Sequence, residues 1–300
     1  MSKFTDYKVL VFDVYGTLVD WEEGLYNALR PLLDRYPASA SWGRREALQT
    51  FSSVEMDLQA QHPEMLYFDL LANAHRAIEK RLRALSEINN AQETNSIAGL
   101  NDPHTIFARS IRDWKAFPDS SKALHALAQR FDLVVLSNVD HDSFKYAHAR
   151  LSEGNDVELT RKKLDLYSYP ENNPNNHWFP RSAPDDNKSP FTLVLTAQDV
   201  KAYKPSTVGM QAVLRCVSSD PRLLGEEGKS PNEVKEKVLV VAQSLLHDHE
   251  IAGELGMRSV WIDRQDAVTC KDIPEGTLQK WTWRFETLAQ LVDAVEEEVR

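Results

Sequence analysis

Five short runs of apolar, largely β-branched residues recur along this chain and constrain its fold more than any other feature. They read KVLVFD at 8–13, DLVVLS at 132–137, TLVLT at 192–196, KVLVVA at 237–242 and RSVWI at 258–262. Runs of this length without apolar–polar alternation are strands buried on both faces. Between them lie helical patterns, SSKALHALAQRF (120–131), STVGMQAVLRCV (206–217) and HEIAGELG (249–256), and FETLAQLVDAVEEEV (285–299) reads as a closing helix. Strands that alternate with amphipathic helices predict an α/β, doubly wound, mostly parallel sheet with right-handed crossovers.

Residues 20–112 break this rhythm. They contain helical runs at 22–33, 44–61 and 65–85 and no convincing strand. A helical excursion between the first two strands would sit over the rim of the sheet where α/β proteins place their chemistry. The expected division is a core of 1–19 and 113–300 with a helical cap at 20–112. A second interruption, 152–190, includes YPENNPNNHWFPRSAPDDNKSP, too rich in proline and asparagine for a long helix or central strand. It is expected to be a long loop. One reading brings Trp178 or Phe179 to substrate; a solvated excursion or partner contact is the plainer one.

The chain has 300 residues, 35 basic against 45 acidic, for a formal charge of -10, and 42% hydrophobic content. That balance disfavours non-specific nucleic-acid binding, which needs a basic footprint. Cys216 and Cys270 stand far apart without C-x-x-C spacing, so neither a disulfide framework nor a zinc site is indicated. The N-terminal MSKFTDYKVL lacks a secretory h-region, and no run reaches the length needed to span a bilayer. A cytoplasmic location, no membrane partner and a small-molecule substrate are the resulting expectations, with a homodimer compatible.

The first strand delivers Asp13 to its end, followed at once by Tyr15, Gly16 and Thr17 in DVYGTL. Three further polar sites follow strand-like runs: Ser137-Asn138 closing LVVLSN, Lys204 in VKAYKP, and Asp248 in VLVVAQSLLHDHEIAGELGM. Taken singly, each has a plainer alternative: serine and asparagine as turn formers, the lysine as a surface charge, Asp248 as a helix cap. The run His247-Asp248-His249 also suggests a metal, but side chains adjacent on a helix start diverge.

Taken together and in this order, the four sites resemble the haloacid dehalogenase superfamily, and the D-x-Y-G-T-L form of the first resembles its 2-haloacid dehalogenase (type II) branch. The resemblance implies a haloacid dehalogenase-like, Rossmann-like core with an inserted helical cap. It implies Asp13 as nucleophile, Thr17 as its brace, Lys204 as the cation beside it, and Ser137 and Asn138 as ligands of substrate or departing anion. Asp248 would orient Lys204 or the hydrolytic water. Tyr15, Trp21 and Trp114, aromatics near the same rim, are substrate-binding candidates beside Ser137 and Asn138.

Two departures bear on substrate. In the superfamily's phosphatases a second acid stands at the position of Tyr15, and another five residues before Asp248, where this chain has Gln243. Magnesium wants oxygen ligands, usually including carboxylates, so metal-dependent phosphoryl transfer is the second choice and no cofactor is expected for the first. In the dehalogenases, an arginine on the second cap helix holds substrate or halide. The corresponding stretch here, LQTFSSVEMDLQ, offers serines, while Met210 and Leu245 replace a tyrosine and an asparagine. The expected reaction is metal-independent dehalogenation of a small 2-haloalkanoic acid or related anionic carboxylate through an aspartyl ester. A magnesium-dependent phosphatase, or an inactive member binding a ligand or partner, is the alternative.

Overall fold

The computed structural model describes residues 2–86, 102–173, 177–183, 186–225, 231–270 and 280–300. Six parallel strands form one sheet: β1 (Val9–Phe12), β2 (Asp132–Ser137), β3 (Leu193–Thr196), β4 (Val238–Ala242), β5 (Arg258–Ile262) and β6 (Trp283–Phe285), in the order β3-β2-β1-β4-β5-β6. Its register pairs Phe12 with Val135 on one side and with Val241 on the other. The chain therefore leaves β1 in one direction to reach β2 and β3 and returns on its other side for β4 and β5. Such a reversal opens a crevice at the carboxyl ends of the strands.

Successive residues of a strand point to opposite faces. Here Leu10, Phe12, Leu133, Val135, Leu239 and Val241 join one apolar cluster, while Val9, Val11, Val134, Leu136, Val238 and Val240 join another. Both faces of the sheet are thus dry, which accounts for strands with no polar alternation.

Among the described residues, four α-helices fall within 20–112: α1 (Trp21–Leu33), α2 (Arg44–Gln61), α3 (Tyr67–Leu85) and α4 (Pro103–Arg109). Asp20 caps α1 through the Glu23 amide, and Asp102 caps α4, which carries a proline in its first turn. The later helices are α5 (Ser120–Leu127), α6 (His141–Glu153), α7 (Arg161–Asp165), α8 (Ala197–Val200), α9 (Val208–Ser219), α10 (Pro231–Lys235), α11 (Glu250–Glu254) and α12 (Leu288–Val299). No helix among the described residues is long and apolar enough to cross a membrane.

Two hydrogen bonds tie the start of α3 to the sheet rim. The Phe68 amide donates to Asp140, whose other oxygen caps α6, and the Tyr203 hydroxyl donates to the Met65 carbonyl at 2.6 Å. The helical segment is therefore held at loops that follow β2 and β3, the same loops that carry Asn138 and Lys204.

The strand expectations hold to within a residue, with one omission. β6 is three residues long, half-exposed and at the sheet edge, so WRF lacks the apolar run that marks the others. The closing helix begins at Leu288 rather than 285, because that stretch first completes the sheet.

The 152–190 segment, expected to be a loop throughout, holds α7, a helical turn at Pro180–Ser182 and a bridge from Trp178 to Val194 of β3; 174–176 and 184–185 lie outside the described residues. Trp178 packs edge-on against buried His148, and Arg222 lies over the Phe179 ring at 3.4 Å. Neither aromatic lines the cavity at Asp13. Both aromatics are buried in the core clusters, so at these positions the segment is neither a substrate contact nor a solvated excursion.

Candidate active site

β1 ends at Phe12, and Asp13 follows with its amide still bonded to the Val241 carbonyl of β4. The carboxylate is thereby placed at the crevice, buried, with both oxygens occupied by donors. Thr17 Oγ1 donates to Oδ2 at 2.7 Å, and Lys204 Nζ donates to Oδ1 at 2.7 Å. Between Asp13 and Thr17 the chain must turn sharply, and Gly16 does so at φ 100°. A Cβ there would also stand 3.0 Å from Gln243 Oε1, so glycine is required for backbone angle and for space.

Lys204 is the hub. Its three ammonium donors go to Asp13 Oδ1, Asp248 Oδ1 at 2.8 Å and the Leu136 carbonyl at 3.0 Å. An ammonium has no fourth. Burial pulls the lysine's pKa down, but the two carboxylates outweigh it and hold the group above its ordinary value. Asn138 supports the hub from behind: its amide accepts from the Lys204 backbone amide at 2.7 Å and donates to the Lys204 carbonyl at 3.1 Å.

Asp248 lies in a wide turn, Leu245–His249, that follows β4. Burial pushes its carboxyl up to about 7; Lys204 opposes this and Asp13 adds to it. Among the described residues its Oδ2 is buried without a partner, as are Tyr15 Oη and Ser137 Oγ. The Tyr15 hydroxyl is held far above the ordinary tyrosine value, by burial first and then by the Asp140 carboxylate, and so remains protonated. Three polar atoms without partners beside one anchored carboxylate are unusual, since buried polar groups are normally satisfied.

Asp13, Tyr15, Ser137 and Lys204 line one cavity of ≈ 60 Å³, enough for a few water-sized units. Of the residues expected from sequence, Asp13, Ser137, Asn138, Lys204, Tyr15 and Trp21 line it. Thr17 and Asp248 reach it through their bonds to Asp13 and Lys204. Asn138 lines the cavity while its amide also holds the Lys204 backbone.

Trp114 is a correction: it does not line the cavity. Its ring lies edge-on to Tyr15 at 5.7 Å and against Gly24 of α1, where an added Cβ would stand 2.2 Å from it. It is a packing residue beneath the tyrosine. Trp21 instead stands with Gln243 between this cavity and a neighbouring one of ≈ 320 Å³ that Arg44 and Arg264 also line.

Sequence reasoning missed the opposite wall. Glu55 and Gln59 of α2 and Tyr67 of α3 line the same cavity, as do Ser244, His247, Thr269 and Cys270. The expected serines of LQTFSSVEMDLQ do not line it. The signal was present in that stretch, where the buried stripe of α2 runs Ala47, Leu48, Phe51, Val54 and then Glu55 and Gln59. A carboxylic acid in the apolar phase of a helix marks a special position.

The His-Asp-His run diverges as expected. Asp248 turns to Lys204, His249 bonds Ser259 Oγ and the Ala242 carbonyl, and His247 faces Cys270 Sγ at 3.9 Å. Burial and the Lys204 charge lower His247 to about 4, so it is neutral. The described residues hold no group of three or more His, Cys, Asp or Glu side chains arranged for a metal.

A magnesium ion, which some proteins of this fold bind, finds a poor donor set here. Gln243 offers an amide in place of a carboxylate and its Nε2 is tied to the Thr269 carbonyl, and the Lys204 ammonium lies between Asp13 and Asp248. These residues do not fit the ion.

Comparison with solved structures places the architecture. The L-2-haloacid dehalogenase of Xanthobacter autotrophicus superposes with a TM-score of 0.59 at 16% identity, covering 97% of this chain and 99% of that one. The same enzyme with chloropropionic acid covalently bound gives 0.58 at 16% identity, covering 97% and 98%. A HAD-hydrolase of Bacillus subtilis, YfnB, bound to magnesium, gives 0.55 at 15%, covering 97% and 99%.

No family model and no curated protein matches the sequence. The chain has the haloacid dehalogenase fold, an α/β Rossmann-like core with helices inserted after the first strand. Several of the solved structures that it superposes on are L-2-haloacid dehalogenases.

Proposed function

We propose that this chain is a hydrolase in which Asp13 displaces halide from a saturated carbon and is regenerated by water. The observation that carries this reading is the Asp13 carboxylate braced by Thr17 and Lys204 in a small cavity, with a protonated tyrosine two residues on. A carboxylate in water is a weak nucleophile; one stripped of most water and oriented by fixed donors is better placed to attack.

The steps balance without a further reactant. One oxygen of Asp13 bonds to the substrate carbon as the carbon–halogen bond breaks, and the halide leaves with the bonding pair. Tyr15 Oη and Ser137 Oγ, both without partners among the described residues, are donors available to the departing anion. Water then adds to Asp13 Cγ and loses its proton to Asp248, while Lys204 stabilises the oxyanion. The acyl–oxygen bond breaks, Asp248 returns the proton to the departing alkoxide to give the alcohol, and the Asp13 carboxylic acid so formed releases its remaining proton to solvent, which restores the carboxylate and leaves one proton for each halide released. A carboxyl with a pKa near the working pH suits both roles.

The carbon attacked is taken as one bearing halide next to a carbonyl carbon, as in 2-haloalkanoic acids. A metal-dependent phosphatase is the second reading, and the donor set described above speaks against it. The test is a single turnover in heavy-oxygen water with 2-chloropropionyl substrates, with EDTA and with magnesium, followed by mass spectrometry of the Asp13 peptide. Halide release that survives EDTA and label in Asp13 are expected, and Asp13→Asn should show no turnover. Phosphate release from p-nitrophenyl phosphate that needs magnesium would install the phosphatase instead; silence toward both substrates would favour a binding role.

A further inference from the structure

Glu55, Gln59 and Tyr67 have no part in the displacement chemistry, yet they line the cavity that holds Asp13. Glu55 and Gln59 stand four residues apart on α2 and so share a face. The Tyr67 hydroxyl donates to Glu55 Oε1 at 2.7 Å.

Other buried glutamates show what Glu55 lacks. Glu22 accepts from the Val268 and Thr269 amides and the Thr269 hydroxyl and pairs with Arg44. Glu79 accepts from Tyr36 and pairs with Arg35 and Arg83. Among the described residues, Glu55 has the Tyr67 hydroxyl and no cation. An acid buried with one donor leaves acceptor capacity open, and its open side is the cavity.

The cavity's charge points the same way. Lys204 is the one cation among the described residues that line it, and all three of its donors are committed. An organic anion entering here meets the carboxyls of Asp13 and Glu55 and finds no spare ammonium or guanidinium. A neutral molecule with an N–H donor meets acceptors at Glu55 and Gln59 instead.

Resting on the reading of Asp13 as nucleophile, we propose that the substrate is a small neutral organic halide carrying an N–H donor, of the 2-haloalkanamide class, whose amide end is held by Glu55 and Gln59. A haloalkanoate, with two acceptor oxygens and a negative charge, is selected against at that wall.

The test compares 2-chloropropionamide with 2-chloropropionate, which share skeleton and leaving group. Because the two carbons differ in intrinsic reactivity, binding of the unreactive propionamide and propionate is measured in parallel by calorimetry. At pH 8, above the Glu55 value of about 7, the amide should be favoured by about 10- to 100-fold in kcat/KM and in affinity, the range expected for one like-charge contact in a partly buried site. Glu55→Gln should shrink that preference, and Glu55→Lys, checked for fold by near-UV circular dichroism, should reverse it.

Propionate binding as tightly as propionamide to the unaltered protein, or binding of neither, overturns the inference without recourse to a variant. Should propionamide bind in a Glu55-dependent way while neither chloride is released, the recognition wall stands and the reading of Asp13 falls.

Discussion

Asp13 and Glu55 are carboxylic acids buried to nearly the same degree, 8% and 9% exposed, in one cavity, and their surroundings are opposite. Asp13 ends a strand and receives an ammonium and a hydroxyl. Glu55 stands in mid-helix and receives a phenol. Burial pushes Glu55 up to about 7, with the Tyr67 bond opposing it. The core wall therefore holds a carboxylate paired with its counter-charge, as nucleophilic attack requires. The wall from the inserted helices holds a carboxyl whose ionisation is marginal, suited to accepting a hydrogen bond. Chemistry and recognition are separated by which element supplies the acid.

The largest way to break this contrast is to remove the counter-charge. Lys204→Met leaves Asp13 and Asp248 facing each other without a cation, so the pair should retain a proton at neutral pH. The expected result is a loss of activity on the order of 10³-fold and of stability by about 3–5 kcal/mol, as for breaking a buried ion pair. Halide release and urea unfolding at pH 7 measure the two separately. A variant within tenfold of the parent rate would show that the ammonium is not needed beside the nucleophile.

A smaller effect should follow from Asp248. Its carboxyl must be ionised to accept the proton of the hydrolytic water, so the rate of ester breakdown should rise with pH through an inflection near its value of about 7. Asp248→Asn cannot take that proton. It should lose about 10²- to 10³-fold in turnover, lose the inflection, and accumulate the aspartyl ester as a mass increment on the Asp13 peptide. Loss of turnover with no trapped ester would assign Asp248 to orienting Lys204 alone.

The same contrast explains what could be read from the residues alone. A doubly buried strand advertises itself, and the residue after it has a fixed place on the rim. Asp13 was therefore legible from its strand end, Ser137 and Lys204 only through the resemblance that the four sites carry together, and the strand ladder predicted the sheet. β6 was not legible because an edge strand of three half-exposed residues has no buried run. Glu55 was not legible as a site residue because periodicity gives a helix's buried face but not its partner. That partner is decided by docking, through Phe68 to Asp140 and Tyr203 to Met65, and by the turn of α2 over the crevice. Trp114 failed in the converse way: nearness to the rim in sequence placed it beside Tyr15, but behind it.

The smallest effect, and the one that sharpens the contrast most directly, is on stability at the recognition wall. Glu55 ionises near 4.5 when unfolded and near 7 when folded. Between those values the native state keeps a proton that the unfolded chain has lost, so unfolding gains in favour as pH rises. The penalty is absent below the unfolded value, grows across the window and is complete above about 7. Glu55→Gln keeps an acceptor for the Tyr67 hydroxyl but cannot ionise. It should match the parent in urea unfolding near pH 4 and exceed it by about 1–3 kcal/mol at pH 8, while eroding the preference for the neutral substrate. Equal stability of the two proteins at pH 8 would mean that Glu55 ionises without strain, and that a cation or donor satisfies it in solution.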